Sequence, residues 1–270
     1  MATKNSENMS NNTFNGRRFG LLFKQHFIHN NKLLLYSTVA YVGVVFLLLS
    51  IVQVGSELVP HDLENFRGFL LGFTGVFGVL YAGYSFPAFR AKESSMNYLM
   101  VPGSVLEKFL FELVSRLGLI LILLPFLFWI TFHLQGYFFD LFSRYEFKSI
   151  GLSTATSVQL PNVDSLFWFT ALIFSAVLLG FVVPFTGAAM FTKQPLIKTL
   201  FSVALLVIFY TTYTYLVAEE LGVNKYGLND SMWLIPTNEA GAFQFFAIAL
   251  VVANVVLLFL AYRKLREKEV

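Results

Sequence analysis

In a chain of 270 residues, hydrophobic side chains fill 56% of positions and charged ones only 13%, with a mean hydropathy of +0.66. A soluble domain carries nearer a quarter charged residues, and 32 phenylalanines are more apolar surface than one water-soluble core can hide. The formal net charge is only +3, and the lack of cysteine excludes disulfides, thiolate zinc sites and cysteine nucleophiles.

Residues 1–15 are polar and rich in Asn, Ser and Thr, without the apolar stretch of a cleavable signal, so a disordered tail is expected. In residues 16–31, Phe19, Leu22, Phe23 and Phe27 share one helical face, with Arg17, Arg18, Lys24 and Gln25 opposite. A basic amphipathic helix of this kind lies in the headgroup plane. It serves either as an anchor that fixes topology or as a lever joining a cytoplasmic partner to the membrane helices.

Six runs then contain no Asp, Glu, Lys or Arg: 33–54, 68–89, 117–134, 165–192, 199–218 and 240–262. About 20 residues of helix cross the hydrocarbon core. Lipid offers no backbone partners, and these runs are continuous rather than alternating, so each is read as a helix and not a barrel strand. The expected fold is an all-α membrane protein, with spans at about 33–54, 68–89, 109–134, 165–190, 197–218 and 240–262 in a single transmembrane domain, 16–270. Pro184 and Gly187 are expected to kink the fourth span or end it near a membrane face. Of the 19 Lys and Arg residues, 14 fall before the first span, in the second-to-third and fourth-to-fifth connections, and in the tail. The other three connections hold 4, and Arg116 at a helix entrance completes the 19. This alternation predicts that both termini are cytoplasmic.

The cytoplasmic connection 86–108 is the most informative stretch. Met96, Leu99 and Met100 have i, i+3, i+4 spacing and give a short helix one apolar face, flanked by Tyr98 and ended by Pro102-Gly103. Ser104 and Glu107 then form a capping box at the start of the third membrane helix. The exposed Met/Leu/Tyr face suits a groove on another protein; alternatively it lies against its own bundle. Glu112 and Arg116 are spaced i, i+4, as a structural pair or a link in coupling. Thr211, Thr212 and Thr214 lie among Tyr210, Tyr213 and Tyr215, either lining an exit path or anchoring the fifth span at the interface. Gln53 and Asn254 are read as interhelical hydrogen-bond groups. The outer connection 135–164 carries Tyr137, Phe138, Phe139, Phe142 and Tyr145, and either meets substrate or packs on the bundle surface.

Enzyme chemistry finds little support. His26, His29, His61 and His133 are scattered, with no His-Glu-x-x-His run. Glu219-Glu220 lacks the Arg that a membrane protease of that motif carries four residues on, where Asn224 stands. Gly151-Leu152-Ser153-Thr154 lies in a loop and lacks the final Gly of a serine-protease motif. No acidic ring or repeated filter suggests an ion channel, and no Gly-x-x-x-x-Gly-Lys-Ser/Thr run is present to hold ATP phosphates.

The order of elements resembles the permease subunit of type-2 ATP-binding-cassette (ABC) exporters: an amphipathic helix, two spans, a cytoplasmic helix with Glu early and Pro late, then four spans. Glu93, Tyr98-Leu99-Met100, Pro102 and Lys108 follow the family's loop pattern. Ser94-Ser95 stands where Gly-Thr is usual, and Lys108 comes sooner after Pro102. The resemblance implies a coupling helix in which Glu93, Met96, Tyr98, Leu99 and Met100 dock on a separate ATPase. That ATPase would bind ATP and Mg, this chain holding no cofactor. It also implies a second permease copy, identical or related, contact with membrane lipid but not nucleic acid, and a bacterial-type inner membrane. Between the fifth and sixth spans it implies an outer hairpin, with Trp233, Leu234, Ile235 and Pro236 in 219–241. A non-transporting membrane scaffold and an intramembrane enzyme are the competing classes.

Overall fold

A computed structural model describes residues 14–90, 103–144, 146–151, 166–216 and 239–269. Among these there is no strand, and six helices are long and apolar enough to cross a membrane. The chain is thus an all-α protein with the architecture of an integral membrane protein.

Helix α1 runs from Gly16 to Gly55. The amphipathic segment and the first span are one continuous helix, because nothing between residues 16 and 55 removes a backbone donor. Asn15, grouped with the tail on sequence, is its N-cap, its side chain accepting from the Arg17 amide. Glu57 and Leu58 adopt left-handed backbone angles, and Leu58 N donates to Gln53 O at 3.0 Å, closing the carboxyl end. Helix α2, Leu63–Gly83, starts earlier and stops sooner than the expected 68–89. Asp62 caps it by accepting from Asn65 N at 2.8 Å, and Glu64 suits its positive end. Beyond it Phe86 turns with φ 53° into a short 3-10 turn, Pro87–Arg90. Helix α3, Val105–Asp140, is α-helical to Leu113, π-helical from Val114 to Leu123, and α-helical from Leu124. Pro125 has no N–H for the preceding turn, and its ring crowds the carbonyl there; the wider π turns accommodate both. Helices α4 (Leu166–Met190), α5 (Pro195–Tyr215) and α6 (Glu239–Glu269) complete the set. Helix α4 continues through Pro184 to Met190.

The chain packs as two units. The first holds α1, nearly all of α2, and α3. Tyr41, Val45 and Leu49 line one face of α1 and bury against Phe66 of α2 and Phe128 and Phe132 of α3. Phe66 meets Phe132 edge-on at 4.8 Å and Phe128 at 5.4 Å. Such ring pairs each contribute about 0.5–1.5 kcal/mol beyond burial, which matters where lipid removes the hydrophobic drive between helices. As expected, Gln53 bonds between helices, accepting from the Gln135 amide of α3. At that end His61 lies against Phe69 and Phe132 with its Nε2 3.3 Å from Leu49 O, and burial holds its imidazole below the usual range.

Residues 137–139, expected in the outer connection, continue α3 as helix. The backbone at 146–151 folds back on it. Trp129 Nε1 donates to Ile150 O at 3.0 Å, Ile150 N donates to His133 Nε2 at 3.1 Å, and Phe147 packs over Gly136. This part of the outer connection packs on its own helix.

The second unit holds the 3-10 turn and α4–α6. Asn254 of α6 donates to Ser175 O of α4 at 3.0 Å, and Thr186 Oγ1 donates to Leu257 O at 3.2 Å. Lys268 Nζ reaches Ala189 O at 2.6 Å, closing the end of α4. Gly187 has no side chain because a Cβ there would overlap Thr199 of α5. Gly187→Val should therefore lower the stability of the detergent-solubilised protein by about 1–3 kcal/mol, read as a fall in its unfolding temperature.

Candidate functional site

The residues that flank the 91–102 connection form the most elaborate polar cluster in the described parts of the first unit. Ser104, with extended backbone angles (φ −70°, ψ 154°), is the N-cap of α3. Its hydroxyl accepts from Glu107 N at 3.3 Å, and Glu107 Oε2 accepts from Ser104 N at 2.9 Å, completing the capping box read from the sequence. The second carboxylate oxygen reaches across 92 residues of chain. Glu107 Oε1 accepts from Asn15 N at 2.6 Å and from Arg18 Nη2 at 3.1 Å.

One carboxylate, with 0% of its residue exposed, therefore receives backbone amides at the amino ends of both α1 and α3. The partial positive charge of both helix ends, together with the Arg18 guanidinium, compensates its burial. Packing reinforces the knot: Phe23 and His26 of α1 lie edge-on to Phe111 of α3 at 4.9 and 5.2 Å. The first turns of α1 and α3 are thus held as one piece at the point where the 91–102 connection enters α3.

One turn further along α3, the expected Glu112–Arg116 pair is formed. Arg116 Nε donates to Glu112 Oε2 at 3.3 Å, with the two residues 8% and 6% exposed. The guanidinium lies over the Tyr81 ring of α2, 4.7 Å from its centroid, which links the end of α2 to α3 about three turns from its start. The pair spans the change from α to π winding at Val114. In the second unit, Arg90 Nη2 donates to Gly83 O at 3.1 Å and its guanidinium covers Tyr84, fastening the end of α2 to the 3-10 turn that leads into the connection.

The remaining sequence candidates stand apart from this cluster. Glu93, Met96, Tyr98, Leu99 and Met100 lie outside the described residues, as does the 219–238 part of the outer hairpin. Thr211, Thr212 and Thr214 are exposed on α5, and Thr214 Oγ1 donates to Tyr210 O of its own helix at 2.9 Å. Sequence reasoning missed Asn15, Arg18, Phe111 and Tyr81. The amphipathic wheel placed Arg18 on a polar face, but nothing local says that its partner is Glu107.

Comparison of the chain with protein-family models, with curated proteins and with solved structures returns no match.

Proposed function

We propose that this chain is the membrane-spanning permease subunit of an ATP-driven ABC-type exporter, with both termini in the cytoplasm of a bacterial-type inner membrane. The observation that carries the reading is the Glu107 knot. A docking element in 91–102 is of use to a transporter only if force applied to it reaches the spans. The knot joins the exit of that segment to α1 and α3 together, while Arg90 fastens its entrance to the end of α2. In this reading a separate ATPase binds ATP and Mg and receives Glu93, Met96, Tyr98, Leu99 and Met100 in a surface groove, and a second permease copy completes the pathway. The chain itself performs no hydrolysis. Glu112–Arg116 and Tyr81 carry the displacement from α3 to α2, and Thr211, Thr212 and Thr214 line part of the path.

The test uses the tagged full chain, isolated from its native membranes. An ATPase carrying a phosphate-binding loop is expected to co-purify, and its hydrolysis is expected to rise when it is reconstituted with this subunit. Changing Glu93 or Met96 and Met100 to alanine should abolish that rise with the fold intact. Normal ATPase binding by those variants would sink the docking role, and binding without transport would leave a scaffold. Because the chain has no cysteine, single cysteines at Lys92 and Arg144 report topology cleanly. An impermeant thiol reagent must reach them from opposite sides.

A further inference from the structure

Helices α1, α2 and α3 of the first unit line an open cleft of about 160 Å³, of which the exporter reading uses only Tyr81. Its floor is Tyr41 and Ile120, both buried, with Phe77 and Tyr81 on the wall formed by α2. Its rim includes Ser37 and Leu123, which are exposed. Every residue that lines it belongs to a membrane-spanning helix.

The chemistry of the wall selects the occupant. The hydroxyls of Ser37 and Thr38 donate to Leu33 O and Leu34 O at 2.8 and 2.9 Å, and Tyr41 Oη approaches Leu124 O at 3.4 Å. These polar atoms are already engaged with backbone carbonyls, and apart from the Tyr81 phenol the rest of the lining is aliphatic or aromatic. Water gains little there, whereas apolar cavities of similar volume take up hydrocarbon. Ile120 and Leu123 belong to the π-helical segment, a winding that is rare within helices and concentrated at functional sites. From Leu34 to Tyr41 the cavity follows α1 for about 10 Å at 1.5 Å per residue, in the part of the span nearest its amino end.

We propose that one acyl chain of a bilayer phospholipid, from the leaflet at the amino end of the first span, enters between α1 and α3 and rests on Tyr41 and Ile120. A bilayer lipid is the occupant because the lining is built from residues of membrane-spanning helices, with an exposed rim, and no cationic side chain lines it to hold a free carboxylate. The bound chain fills the space that the π segment leaves beside α1. This inference needs only that the helices cross a bilayer; it stands if no ATPase partner exists.

The test reconstitutes the full chain in nanodiscs containing a phosphatidylcholine with a photoactivatable diazirine on one acyl chain. After irradiation, label on 34–41 and 119–127 should exceed that on the exposed stretch 204–209 of α5 about tenfold. Ile120→Phe, which fills the floor, and Leu123→Phe, which narrows the rim, should each remove that excess while leaving 204–209 labelled. Two variants guard against a folding defect in either, with monodispersity on size exclusion as the control. Equal labelling of the two regions would reduce the site to ordinary annular contact and overturn the proposal. Label that survives both substitutions would place the chain elsewhere. Loss of label on adding unlabelled free fatty acid would identify a fatty acid, not a phospholipid, as the occupant.

Discussion

Glu107→Ala is expected to destabilise the protein by about 3 kcal/mol and to free the amino end of α1 from α3. Removing one member of a fully buried ion pair costs about 3–5 kcal/mol, but the Arg18 side chain is 26% exposed and can turn toward water, so the lower end applies. The variant also loses partners for Asn15 N and Ser104 N, a capping loss of about 0.5–2 kcal/mol that overlaps the first term. Arg18→Ala should cost less, about 1.5 kcal/mol, because the two backbone amides still hold the carboxylate. Unfolding temperatures in detergent for the two single variants and the double variant measure the coupling. Hydrogen exchange at residues 16–28 should rise in Glu107→Ala and much less in Arg18→Ala. Exchange that is unchanged in Glu107→Ala would mean that the Phe23–Phe111 packing, not the carboxylate, holds α1. In the exporter reading, Glu107→Ala also loses ATPase stimulation while retaining ATPase binding, because the docking element is intact but its exit is loose.

How much of this was visible in the sequence depends on the range of each interaction. The six spans were legible because hydrocarbon thickness and the lack of backbone partners in lipid leave few alternatives for twenty uncharged residues. The capping box at Ser104 and Glu107 and the pair Glu112–Arg116 were legible because they close within one helical turn. The limits of α2 were misread because charge marked the border, yet Glu64 and Arg67 sit in its first turns, where headgroups and a helix amino end tolerate them. The π winding of α3 had only Pro125 as a local sign. The Arg18–Glu107 contact joins residues 89 apart in sequence, and a capping box gives no hint that its carboxylate has a second oxygen to offer. Half of the candidate site thus lay in local spacing, and the half that makes it a junction arose only from packing.

Arg116→Met alone should destabilise the protein by about 3 kcal/mol, whereas Arg116→Met with Glu112→Leu should come close to wild type. The single change leaves Glu112, 6% exposed, without its cation in a membrane helix. Leaving one member of a buried ion pair unpaired costs about 3–5 kcal/mol, and the lower end applies because Glu112 lies near the amino end of α3. Replacing both partners by apolar side chains of similar volume removes the desolvation penalty together with the attraction, and such exchanges of buried pairs are commonly neutral or stabilising by about 1–4 kcal/mol. Tyr81 supplies the third term: its ring over the guanidinium adds about 0.5–2 kcal/mol, so Tyr81→Leu should weaken the wild type and leave the apolar double variant nearly unaffected. If the pair only holds α3 in register, the double variant is both stable and active. If, in the exporter reading, it transmits motion between α3 and α2, the double variant folds normally but no longer stimulates the proposed ATPase, because an apolar contact slides where an ion pair under an aromatic ring keeps a fixed geometry. A double variant as unstable as Arg116→Met alone would show instead that Arg116 has a further partner in the membrane and that the Glu112 contact is incidental.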